Sequence, residues 1–314
     1  MTGAIWALAA GIGFGLFQSL NRFAVKDMDV YVATFIQLVV SGLVLAAASA
    51  VSGSFSLLGA VTARAFFDFG MAGFLHFFLG WTLMNISQQK IGAARTAALV
   101  GTTPLFAVLV DAFFYDRVPT WWDALGIIVI MVGIGIISAE RLRSEAGSSA
   151  LPAGPWYRKL GDSSYAIGVT VVWSLSPIFI NHGLHIVQDA APDSPATMSA
   201  LLGLTLGMIP TVLGYLVMTA LRGPTVIRAS LANYGQAASL KVLAGVLVAL
   251  ATWARWIALE LTTVAIVLSI SQISVPMVII LAPLLVGKGV ENVTLRVWIG
   301  ALLTVGGSLV LVLT

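Results

Sequence analysis

The chain has 314 residues, 59% of them apolar and 9% charged, where an ordinary soluble domain carries about a quarter charged. Its 16 basic and 13 acidic residues leave a net charge of +3. The pI near 9.3 therefore reflects a small surplus spread along a hydrophobic chain, and it argues against a basic nucleic-acid surface. With no cysteine in the sequence, structural disulfides, thiolate metal sites and cysteine nucleophiles are excluded.

A bilayer core about 30 Å thick needs roughly 20 apolar residues of helix. Ten runs of that kind follow one another, at 4–23, 32–52, 66–87, 92–114, 120–139, 162–182, 196–220, 239–260, 262–286 and 294–313. No Lys or Arg precedes the first, so it reads as a retained span rather than a cleaved leader. Breaks such as Leu261-Thr262-Thr263 leave room for tight antiparallel connections alone. The longest polar stretch, Glu140 to Asp162 with Pro152 and Gly154-Pro155, reads as a hinge. The expected organisation is a first five-helix repeat at 1–140, a basic cytoplasmic linker at 141–161 and a second repeat at 162–314.

Breaks after odd-numbered spans hold Arg22, Lys26, Lys90, Arg141, Arg143, Arg158, Lys159, Arg222, Arg228 and Lys288, and the other side holds Arg64 and Arg117. The asymmetry predicts a multi-pass inner (plasma) membrane protein with cytoplasmic basic loops and both termini outside the cytoplasm.

A shift of 172 residues lays Ala72-Gly73 on Ala244-Gly245, Leu75 on Leu247, Trp81 on Trp253, Ala93 on Ala265 and Pro104 on Pro276. After a two-residue slip, Gly126 falls on Gly300 and Gly133 on Gly307. Five spans per half is an odd number, so the second copy enters the membrane in the opposite sense. The expected fold is all-α: ten transmembrane helices as two inverted five-helix repeats around a central cavity, an arrangement suited to alternating access.

Several segments carry a resemblance. They are Gly13-Phe14-Gly15 through Asn21-Arg22, the stretch from Ile91 to Pro104, and Phe113-Phe114-Tyr115-Asp116-Arg117-Val118-Pro119. The second half offers Val172-Trp173-Ser174, Pro276, and Leu285-Val286-Gly287-Lys288 leading to Trp298-Ile299-Gly300. In these the chain resembles the drug/metabolite transporter superfamily and its EamA-type members. The resemblance implies a ten-helix basket whose cavity is lined by spans 1, 3, 4, 6, 8 and 9, with spans 5 and 10 peripheral. It also implies solutes such as amino acids, metabolites or drugs. Members often have Glu at the turns after spans 4 and 9, where this chain has Asp116 and Lys288.

Polar groups at membrane depth are costly and usually face protein or a wet cavity. Arg255, flanked by Trp253 and Trp256 near one end of span 8, suits a substrate carboxylate or phosphate; the alternative is an arginine snorkelling to the interface. His76, near the centre of span 3, suits solute or proton binding, or a bond to a neighbouring helix. Gln18 and Asn21 share one face of span 1. Thr103 sits beside Pro104 in span 4, while Trp173, Ser176, Pro177 and Asn181 form a set in span 6, and Gln272 precedes Pro276 in span 9. With Trp81 and Trp253, these are the expected substrate contacts, and Pro104, Pro177 and Pro276 are the expected helix breaks. Asp111 and Glu260 read as interfacial carboxylates. Gly11/Gly15 and Gly203/Gly207 have packing spacing.

The expectation is an alternating-access transporter of a small organic solute, an amino acid or other carboxylate-bearing metabolite, with export slightly favoured. A multidrug or cationic/nucleoside-type carrier is the alternative. No filter sequence suggests a channel, and no nucleophile with its base suggests an enzyme. Expected partners are the solute, the lipid bilayer and a coupled proton or counter-solute, with no nucleic acid, no metal and no cofactor, in a monomer or weak dimer.

Overall fold

The computed structural model describes residues 2–24, 29–91, 93–148, 156–232, 235–278 and 294–313, and the described residues form no strand. The first half runs α1 (Thr2–Ala24), α2 (Val30–Val51), a 3-10 turn (Ser54–Ala60), α3 (Ala63–Gly73), a π-helical segment (Phe74–Leu79), α4 (Gly80–Ile91), α5 (Ala93–Val100), α6 (Thr103–Tyr115) and α7 (Trp121–Ser148). The second runs α8 (Trp156–Ala190), α9 (Ala196–Ala220), α10 (Pro224–Ala232), α11 (Gly235–Leu261), α12 (Val264–Ile270), a 3-10 turn (Ser271–Ile273), α13 (274–278) and α14 (Leu295–Leu313).

Among the described residues, eight helices or continuous helical stretches are long and apolar enough to cross a membrane, and two shorter apolar ones, Thr103–Tyr115 and Val264–Val278, stand in the fourth and ninth places. The third predicted span is one rod made of α3, the π-segment and α4. The fourth is broken between α5 and α6. Helix continues to Ser148 and resumes at Trp156, which shortens the expected linker from both sides.

Packing pairs the halves. α1 lies on α11, α3 and α4 on α8, α2 on α9, α6 on α12 and α7 on α14. Small residues permit the closest approaches. A Cβ on Gly133 would meet the Gly300 carbonyl and Thr304, and one on Gly126 would meet the Gly307 carbonyl and Leu311. A Cβ on Gly73 would overlap the Gly207 carbonyl, and Gly11 and Gly15 of α1 press on Ile273 and Met277. The spacing expected to bring helices together thus does so. Large apolar side chains such as Phe113, Trp121, Leu213 and Leu302 point outward, as lipid-facing surfaces require.

Candidate functional site

The interior is organised around the π-segment. A π-turn places one extra residue in a helical turn and displaces a carbonyl from the regular ladder, and such turns are frequent at functional sites. Here the His76 carbonyl accepts a hydrogen bond from Trp173 Nε1 of α8 at 3.0 Å. The two rings stack at 5.4 Å, and Ser176 Oγ lies 3.4 Å from His76 Nδ1. An aromatic wall continues from there: His76 meets Phe77 edge-on, Phe77 meets Trp81 edge-on, and Trp81 stacks on Phe17 of α1 at 5.9 Å. His76, Trp81, Trp173 and Ser176, predicted from four sequence positions, are thus brought together. Phe17 and Phe77 were missed, because an aromatic residue in an apolar span carries no signal beyond packing.

Arg255 of α11 lies within electrostatic range of His76. It is 7% exposed, its Nε has no hydrogen-bond partner, and among the described residues it forms no ion pair. An unpaired buried charge is costly, and a snorkelling arginine would keep its head in solvent. The gap among Leu38, Phe77, Val248 and Thr252 is too tight to admit a water.

Hydroxyl groups serve the break in the fourth span. Pro104 sits in the first turn of α6, and Leu99 O accepts from Thr102 Oγ1 (2.6 Å) and Thr170 Oγ1 (3.4 Å). Thr103 Oγ1 bonds Val100 O, and Ser174 Oγ reaches Thr103 O at 3.4 Å. Thr103 therefore serves the break, as do Thr170 and Ser174 of α8. In the ninth place the 3-10 turn holds Gln272, half-buried, just before Pro276. Pro177, by contrast, lies within continuous α8.

The remaining candidates lie apart. Gln18 is exposed, and the side chain of Asn21 lies outside the described residues. Trp253 Nε1 is committed to Thr197 O at 2.9 Å, tying α11 to α9. Asn181 is buried beside the Tyr115 hydroxyl. One acid differs from expectation, and a second, Asp68, was not singled out in the sequence. Asp111, expected at a wet interface, is 2% exposed and bonds the backbone of α12. Asp68 is fully buried, accepting from His182 Nδ1 at 2.6 Å and Arg64 Nε at 3.1 Å. Glu260 accepts from Ser199 Oγ at 3.0 Å. Among the described residues no cluster has the composition of a metal site.

Residues 1–139 match the model of the EamA-like transporter family. Over that stretch, which is less than half of the chain, the sequence is similar to the EamA-like transporters of the drug/metabolite transporter superfamily. Among curated proteins none matches. Of 26 matching chains of solved structures, one crystal structure superposes on this chain with a TM-score of 0.70 at 16% identity. It covers 99% of this chain and 97% of its own, a likeness of fold alone. The two halves of the chain meet at the site: His76 and Trp81 come from the first, Trp173 and Ser176 from the second.

Proposed function

We propose that the chain carries a small organic solute bearing a carboxylate, an amino acid or related metabolite, by alternating access between two inverted five-helix repeats. The single observation that carries the substrate class is Arg255, a buried guanidinium with an unsatisfied Nε and no acidic partner among the described residues. A carboxylate is the group whose geometry and charge complete it. The aromatic wall from His76 to Phe17 supplies the apolar side of such a pocket, and Ser176 and His76 supply hydrogen bonds.

Alternating access draws support from the pairing of helices. Each predicted repeat contact has its mate: α1 on α11 corresponds to α8 on α3, and α2 on α9, α6 on α12 and α7 on α14 correspond to themselves. The reciprocal glycine contacts, Gly126 on Gly307 and Gly133 on Gly300, are what a two-fold relation in the membrane plane produces. Both halves interrupt a helix at the same place, at Gly101-Thr102 and at Ser271–Ile273. Paired interruptions of this kind mark the binding region of inverted-repeat carriers.

The basic loops favour termini outside the cytoplasm, and export remains the favoured direction. The test is a thermal-shift screen of purified protein against amino acids, organic acids, nucleosides and cationic drugs, since a bound ligand stabilises the fold by mass action. Stabilisation by carboxylates that is lost in Arg255→Ala supports the reading. Stabilisation by cations alone, indifferent to that change, returns the assignment to a cationic or multidrug carrier.

A further inference from the structure

One buried acid has no part in the pocket. Asp111 lies in the last turns of α6, in the first half, and its carboxylate crosses to the second half. There Oδ1 accepts from the Val264 N–H at 3.1 Å and Oδ2 from the Ala265 N–H at 2.6 Å. Thr263 Oγ1 takes the Ile266 N–H, so the free donors at the start of the helical stretch Val264–Val278 are shared between its own cap and an acid from the other repeat. The tie is held stiffly on the α6 side, where the Asp111 carbonyl accepts from Arg117 N at 3.0 Å in the turn around Asp116, at φ 50°. Burial strengthens such charge-assisted bonds by excluding competing water.

The sequence offers no acid for a matching tie in the second half. Under the internal repeat, Ala93 corresponds to Ala265 and Asp111 to Pro283, and the stretch Leu281-Ala282-Pro283-Leu284-Leu285-Val286 contains no acid. Alternation exchanges the conformations of the halves, so an interaction present on one face and missing from the other biases the equilibrium between the two open states. Resting on the alternating-access reading, we infer that Asp111 is a one-sided latch: it holds the face where α6 ends and α12 begins closed, and the carrier rests open toward the opposite face.

The natural absence of cysteine makes the test clean. Ser269→Cys places a near-isosteric thiol in α12, at a fully buried position, and a membrane-impermeant maleimide is applied from each face in turn, in intact cells and inverted vesicles. Two changes break the latch by different routes. Asp111→Asn removes the charge and keeps the shape. Val264→Pro deletes one donor at the first helical position, where proline is accepted, and Thr263 at ψ 153° already has the backbone that precedes proline.

The ratio of labelling between the faces is expected to shift toward the Asp111 face by about 10- to 100-fold for Asp111→Asn, from the worth of hydrogen bonds to a charged group, and by less for Val264→Pro. A ratio unchanged in both variants overturns the latch. So does labelling that rises equally from both faces, which a loosened or misfolded protein gives. A shifted ratio in a protein whose liposomes show no saturable carboxylate exchange supports the latch and overturns the carboxylate assignment alone.

Discussion

Replacing Arg255 with methionine, a side chain of comparable length, removes a charge whose surroundings give it little in return. The guanidinium is 7% exposed, its Nε is unpartnered, and its helical neighbours Ala251, Ala258 and Leu259 are apolar and buried. Replacing buried ionic groups by well-packed hydrophobic ones is commonly neutral or stabilising by about 1–4 kcal/mol. The ligand-free variant is therefore expected to melt no lower than the parent. Ligand binding should move the opposite way. Losing one member of a buried charge pair costs about 2–5 kcal/mol, so carboxylate affinity should fall roughly 30-fold or more, and the thermal shift at a fixed concentration should vanish. Arg255→Lys keeps the charge but loses the planar fork and should fall between. Melting of each variant in nanodiscs, with and without the best carboxylate from the screen, reads both effects. The reasoning is refuted if Arg255→Met melts well below the parent while its ligand-induced shift is unchanged, the result of a structural arginine.

Two other changes probe the supports of the site. Trp173→Phe retains the stacked ring and removes the donor to His76 O, so it should cost about 1 kcal/mol of stability; solute affinity, read by titration, should weaken through the misplaced imidazole. Gly133→Ala would put a methyl 2.5 Å from Thr304 Oγ1 and 2.6 Å from the Gly300 carbonyl. Such overpacking typically costs 1–3 kcal/mol, seen as a lower melting temperature, whereas the same change at Gly135, which meets nothing within 4 Å, should be close to neutral.

Much of this architecture was legible because the bilayer imposes a length on its helices. The seventh run, 196–220, coincides with α9, and most other predicted ends fall within a few residues of the helices found. Pro104 marked the break between α5 and α6, since a proline lacks the donor that continuity needs. The hydroxyls that repair the break, Thr170 and Ser174, were hidden because their partners lie on another helix. The π-segment had no local signature: Phe-Leu-His-Phe-Phe-Leu contains neither glycine nor proline, and the indole that takes one of its carbonyls, Trp173, is 97 positions away. Asp111 was misread for a related cause. Near the end of a span an acid ordinarily meets water, and nothing in its own sequence discloses that α12 offers two backbone donors instead. Arg255, singled out as a charge where charges are costly, was visible in advance, while the snorkelling alternative could be set aside once its burial was known.

The central claim is that two oppositely threaded repeats pass a carboxylate-bearing solute by exchanging which face is open. Solute counterflow in proteoliposomes tests it most directly: purified protein is loaded with an unlabelled carboxylate identified by thermal shift, and uptake of external labelled solute is followed. The account predicts saturable uptake with a transient overshoot, strongly reduced in Arg255→Met. Flux that rises linearly with concentration and shows no overshoot would contradict it.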